Sequence, residues 1–148
     1  MNATRFGLTY GVSSREPLTR AGELARHAEE LGFARMWFVD VQLSMKDAYI
    51  AMALAAQATS AIHLGPGVSN PVTRHVSVTA NGLSAVHELS HGRAMAGYGL
   101  GHTAVYPVGL KPAKLAPFEQ DLQALRSLLA GNIVSTGNVS YELLTVDK

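Results

Sequence analysis

At 148 residues, 47% apolar and 16% charged, the chain is long enough for one domain with a real core and too apolar to be disordered. A formal net charge of +1 with scattered basic residues gives no footprint for nucleic acid, and the lack of cysteine excludes disulfides, thiol catalysis and thiolate metal sites. No apolar run reaches the roughly 18 residues of a membrane span, so no membrane partner is expected and the expected compartment is the reducing cytoplasm.

In chain order, Arg5–Tyr10 reads as a short apolar strand ending at Gly11. Pro17 suits the first turn of a helix in which Leu18, Ala21, Leu24, Ala25, Ala28 and Leu31 recur at helical spacing, with Gly32 as its stop. Met36–Val39 is apolar throughout, the pattern of a strand buried on both faces. Asp47 can cap an alanine-rich helix running to about Thr59. Ile62–Leu64 reads as a third strand, which enters Gly65-Pro66-Gly67 and emerges as a polar loop with Ser69, Asn70 and Thr73. Glycines beside a proline let that backbone turn sharply and approach a flat ligand, because no Cβ stands in the way. Val76–Ser90 reads as a third helix stopped at Gly92, and Arg93–Gly99 as a fourth strand. Gly97, Gly99 and Gly101 do not fit a dinucleotide loop, which needs a helix to begin at once; here Pro107 intervenes before the next expected helix. That helix is Leu115–Ala130, with Leu122, Leu125, Leu128 and Leu129 on its inner side.

Four alternations of strand and helix predict an α/β fold with a parallel sheet and helices outside it. Ile133–Val146 differs: β-branched residues around Thr136-Gly137-Asn138 predict a hairpin. One domain is therefore expected over 1–148, with four β-α units over 1–131 and a hairpin-like tail over 132–148.

His87-Glu88-Leu89-Ser90-His91 matches H-E-x-x-H, in which histidines four apart on one helix face hold zinc and the glutamate acts as base. Gly92 ends the helix beside the second histidine, and no third ligand follows at a recognised spacing. Zinc hydrolysis thus stands only as an alternative, and no metal site is assigned.

Several segments together carry a resemblance. They are Ala28-Glu29-Glu30-Leu31-Gly32-Phe33 leading to Met36-Trp37-Phe38-Val39-Asp40, Leu64-Gly65-Pro66-Gly67-Val68-Ser69-Asn70-Pro71-Val72-Thr73-Arg74-His75, Glu88-Leu89-Ser90-His91-Gly92-Arg93, and Gly109-Leu110-Lys111-Pro112-Ala113-Lys114-Leu115. The chain resembles the N-terminal half of the luciferase-like oxidoreductases, (β/α)8 TIM barrels that use a flavin or deazaflavin. Within them it is most similar to the branch using the deazaflavin coenzyme F-420, which includes methylenetetrahydromethanopterin reductase.

The resemblance implies half of a barrel, four β-α units plus the C-terminal hairpin. It implies hydride transfer between coenzyme F-420 and a small organic substrate, at the C-terminal ends of the strands. Gly67–Val68 would be a non-proline cis peptide. Gly67, Val68, Ser69, Asn70, Thr73 and Thr103 would hold the cofactor. Asp40 would be an acid–base group, and His102 would stand in for the proton donor that relatives carry after that aspartate, where this chain has Val41. The alternatives are an FMN-dependent monooxygenase and a catalytically silent, oligomerising half-barrel. A complete barrel takes about 250 residues. The expectation is therefore a homo-oligomer or a missing C-terminal half-barrel, with weak coenzyme binding by this chain alone.

Overall fold

The computed structural model describes residues 6–146; Arg5, the expected start of the first strand, and Asp147 and Lys148 of the expected tail lie outside the described residues. The chain forms two compact units. The first holds the described residues up to Val68 together with Val86–Gly97, and the second holds Ser69–Ala85 and the described residues from Tyr98 on.

The first unit is built on β1 (Gly7–Tyr10), α1 (Arg20–Glu30), β2 (Arg35–Phe38), α2 (Ala48–Ala58) and β3 (His63–Pro66). The strands lie in the order β1-β2-β3, all parallel, with Tyr10 opposite Phe38 and Phe38 opposite Pro66. Residues in register share a face, and Met36, Phe38 and Leu64 put theirs fully out of water. Each such side chain contributes roughly 1.5–3 kcal/mol by burial. β2 was expected to be buried on both faces, yet it alternates: Arg35 is exposed and Trp37 half-buried. α1 and α2 pack on each other through small residues. A Cβ on Gly22 would stand 3.1 Å from the Leu54 carbonyl.

The punctuation works as expected. Asp47 accepts from the amides of Tyr49 and Ile50 at 2.9 and 3.1 Å, capping α2. Gly32, at φ +83°, closes α1 in a Schellman turn, with the Phe33 amide donating to Ala28 and the Gly32 amide to Glu29. Leu31 is thereby left outside the helix and exposed, although periodicity put it on the inner face. Pro17, expected in the first turn of the helix, lies instead in a lead-in turn ahead of α1, where its carbonyl accepts from the Arg20 amide.

The expected fourth strand is reduced to single bridges. In the first unit Leu64 pairs with Ala94, and in the second Ser69 pairs with Tyr98, both parallel. At Gly97 the backbone lies so close to β3 that a Cβ would stand 2.0 Å from the Pro66 carbonyl oxygen, a contact no ordinary ladder allows. The described sheet therefore has three strands.

α3 (Val76–Leu89) buries Val76, Ala80, Leu83 and Val86. In the second unit a one-turn helix, α4 (His102–Val105), begins directly after Gly101 and passes into a 3-10 turn at Tyr106–Val108, ahead of Leu115–Ala130, which was expected to be the next helix. α5 (Leu115–Leu129) buries Leu125 and Leu128, while Leu122 is exposed and Leu129 half-buried, so its inner stripe is narrower than its leucines suggest. β4 (Val134–Thr136) and β5 (Val139–Tyr141) pair antiparallel across Gly137-Asn138, the expected hairpin.

Candidate functional site

In the first unit the chain leaves β3 through a cis peptide between Gly67 and Val68, as the resemblance implied. The Gly67 amide donates to the Phe38 carbonyl at 2.6 Å, and Val68 is 45% exposed. Trp37, which sequence reasoning passed over, shapes this region. A Cβ on Gly65 would stand 2.8 Å from the indole Cζ3, one on Gly97 3.2 Å from the same atom, and one on Gly67 2.9 Å from the tryptophan Cβ. The indole thus lies across a face that three glycines keep clear. The signal was present: Gly65 in β3 and Gly67 just past it, with Gly65 opposite the chain's single tryptophan in the adjacent strand.

Asp40 lies two residues past β2, half-buried and engaged in an interaction of its own. At the end of β1, Tyr10 donates to Glu16 Oε1 at 2.9 Å, and Ser13 donates to Glu16 Oε2 through its hydroxyl at 2.7 Å and its amide at 3.2 Å. Lys46 Nζ donates to the Glu16 carbonyl. Burial, then the hydrogen bond and charge of Glu16, push the Tyr10 phenol up to about 12. The donors of Ser13 and Tyr10 hold the Glu16 carboxyl below its usual range.

In the second unit Ser69 and Asn70 are fully buried. Asn70 Oδ1 accepts from the amides of Val72 and Thr73 at 3.1 and 3.0 Å, and its Nδ2 donates to Thr73 Oγ1 at 2.9 Å. Asparagine here mimics a backbone turn, which explains why this residue type follows the break. The Ser69 carbonyl accepts from the Gly99 amide at 2.9 Å. His102 is exposed on the first residue of α4, its ring 6.3 Å from that of Tyr106, and Thr103 is exposed beside it. Of the residues singled out from sequence, the structure joins Asn70 directly to Thr73. It places Asp40, Gly67 and Val68 in the first unit and Ser69, Asn70, Thr73, His102 and Thr103 in the second.

The zinc alternative loses its geometry. α3 ends at Leu89, and His91 lies beyond it at φ +53°, so His87 and His91 do not share a helix face. The Gly92 amide instead donates to the His87 carbonyl at 2.8 Å, closing the helix. Among the described residues no group of three or more His, Cys, Asp or Glu is arranged to hold a metal. No helix among them is long and apolar enough to cross a membrane.

Residues 2–142 match the family of luciferase-like monooxygenases. The chain belongs to that family. It is 32% identical over 132 residues to a 5,10-methylenetetrahydromethanopterin reductase of Methanolobus tindarius, covering 86% of this chain and 40% of the relative. The solved coenzyme F-420-dependent tetrahydromethanopterin reductase of Methanopyrus kandleri superposes with a TM-score of 0.73 at 27% identity, over 84% of this chain and 39% of that one. The FMN-bound oxygenating constituent of 3,6-diketocamphane monooxygenase from Pseudomonas putida gives 0.77 at 18% identity, over 94% and 45%. This luciferase-like chain therefore has the α/β fold of TIM-barrel relatives and spans about two fifths of the length of the reductases it matches.

Proposed function

We propose that this luciferase-like chain is the cofactor-binding half of an oxidoreductase that moves a hydride between coenzyme F-420 and a carbon of a small organic substrate. The observation that carries the reading is the segment Gly67–Thr73: an exposed apolar Val68, then a turn held by the buried Asn70 side chain through the amides of Val72 and Thr73 and the Thr73 hydroxyl. A planar redox ring needs an apolar surface and a backbone that does not rearrange on binding, and these residues fit that need. The sequence kinship to a methylenetetrahydromethanopterin reductase favours the deazaflavin over FMN.

When bound, the deazaflavin supplies the hydride chemistry. Val68 would contact the ring, Ser69 to Thr73 would edge it, and Thr103 would meet its periphery. Asp40 and His102 would hold or move the proton that accompanies the hydride, in a cytoplasmic enzyme. The remaining β-α units of a barrel would come from further polypeptide or a second copy. Four units of this chain, the fourth contributing only bridges, would form its half of the barrel.

The test is a fluorescence titration of the whole chain, in which the single tryptophan, Trp37, reports on the first unit. Coenzyme F-420 should quench it saturably, though weakly, because loops after strands seven and eight supply much of the phosphate grip in such barrels. Tighter saturation by FMN, with a yellow chromophore that reacts with oxygen, would move the assignment to a monooxygenase. Saturation by neither would end both readings. Sedimentation as a monomer would count against pairing with a second copy.

A further inference from the structure

The geometry points to Gly101 as a positioning residue that locks the Asn70–Thr73 turn, so that the cofactor loop and the His102–Thr103 turn are held as one piece. The functional half of this inference rests on the reading of that turn as the cofactor loop; its structural half does not.

Asn70 is fully buried and makes three hydrogen bonds to Val72 and Thr73. It cannot swing away without leaving a buried amide unsatisfied. Gly101 sits against it at φ +91°. A Cβ there would stand 2.8 Å from both Cγ and Oδ1 of Asn70 and 3.0 Å from its Cβ. The neighbouring backbone is pinned. Gly99 donates to Ser69, Ala113 donates to Leu100, and Val105 donates to Gly101 to open α4. With both sides held, a side chain at 101 has nowhere to go except into the Asn70 amide. That would release the Val72 and Thr73 amides and shift the start of α4, where His102 and Thr103 sit.

Gly109 isolates the effect. It has the same left-handed backbone, φ +73°, with nothing within 4 Å of where a Cβ would stand. Alanine at 109 meets only the conformational penalty, whereas alanine at 101 meets that penalty and Asn70 as well.

The experiment compares the whole chain with its Gly101→Ala, Gly109→Ala, Asn70→Ala and Asn70→Ala/Gly101→Ala forms, reading amide hydrogen exchange at Val72 and Thr73 and affinity for coenzyme F-420. Gly101→Ala should speed exchange at those two amides, and weaken the coenzyme, by about tenfold or more, while Gly109→Ala leaves both unchanged. In exchange at Val72 and Thr73 the double variant should match Asn70→Ala, because that variant has already lost the oxygen that holds both amides. Unchanged protection in Gly101→Ala, or an equal loss in Gly109→Ala, overturns the inference. Should Gly101→Ala not fold, Asn70→Gly/Gly101→Ala, which removes every atom of Asn70 that the new Cβ would meet, must melt with Asn70→Gly/Gly109→Ala; a lower melting temperature overturns the inference equally. A wild-type chain that binds no coenzyme defeats the functional reading, while the exchange measurement still decides the positioning.

Discussion

The two compact units fasten their connections by different means. In the first, charged side chains clamp the backbone. The Arg93 guanidinium, buried, donates to the carbonyls of Ala56, Thr59, Ile62 and Ser90 and to Thr59 Oγ1. The Glu29 carboxylate collects the amides of Ser60, Ala61 and Ile62 and the Ser60 hydroxyl. In the second, the turn proposed to bear on the cofactor is fastened by the neutral amide of Asn70 and by the missing Cβ of Gly101. A charged clamp makes stronger bonds, but a carboxylate clamp loosens when it is protonated. A neutral amide keeps its shape across pH, which would suit the proposed cofactor loop.

The comparison breaks first, and hardest, in the sheet itself. Phe38→Ala empties a fully buried site in β2 and should cost about 3–5 kcal/mol, read from the urea midpoint. Arg93→Leu comes next. It strands buried carbonyls at the end of α2 and should cost about 3 kcal/mol, with Arg93→Lys recovering less than half, because an ammonium cannot span the guanidinium's fan of acceptors. Asn70→Ala, in the second unit, should cost only about 1–2 kcal/mol in stability. Its effect on coenzyme affinity should be larger than its effect on melting, whereas for Arg93→Leu the order should reverse. If both variants lose affinity only in proportion to stability, the division between scaffold and loop fails.

Much of this organisation could be read from the residues. Gly32, Asp47, Gly92 and the Gly137-Asn138 turn each demand a local geometry that neighbours cannot override, so helix ends and hairpin emerged where expected. The cis bond at Gly67–Val68 came from resemblance, since spacing alone says nothing of peptide isomers. The fourth strand was misread because apolar composition does not reveal how closely Gly97 approaches Pro66. Leu31 and Leu122 were misassigned because periodicity cannot see where a helix stops or how wide its partner is. Of the candidate site, the polar loop was legible, whereas the contacts that give Trp37 and Gly101 their roles were not. Each matters through a contact to a residue distant in sequence, Gly97 for Trp37 and Asn70 for Gly101.

The smallest expected effect is the one that tests the chemistry of the clamps directly. Partial burial pushes the Glu29 carboxyl up, but the amides of Ile62, Ser60 and Ala61 and the Ser60 hydroxyl outweigh it, and the net shift is downward. A depressed folded-state pKa means that Glu29 adds stability above its unfolded value of about 4.3 and loses it as pH falls through the folded value. Glu29→Gln should therefore be less stable than wild type at pH 7 by about 1 kcal/mol, with the gap closing in acid as the wild-type carboxylate takes up its proton. Urea unfolding of both forms at neutral and acid pH measures this, and a gap that stays constant would mean the carboxylate's charge contributes nothing to the clamp. The amides of Val72 and Thr73, read by exchange over the same range, should show no matching step, because no titrating group holds them.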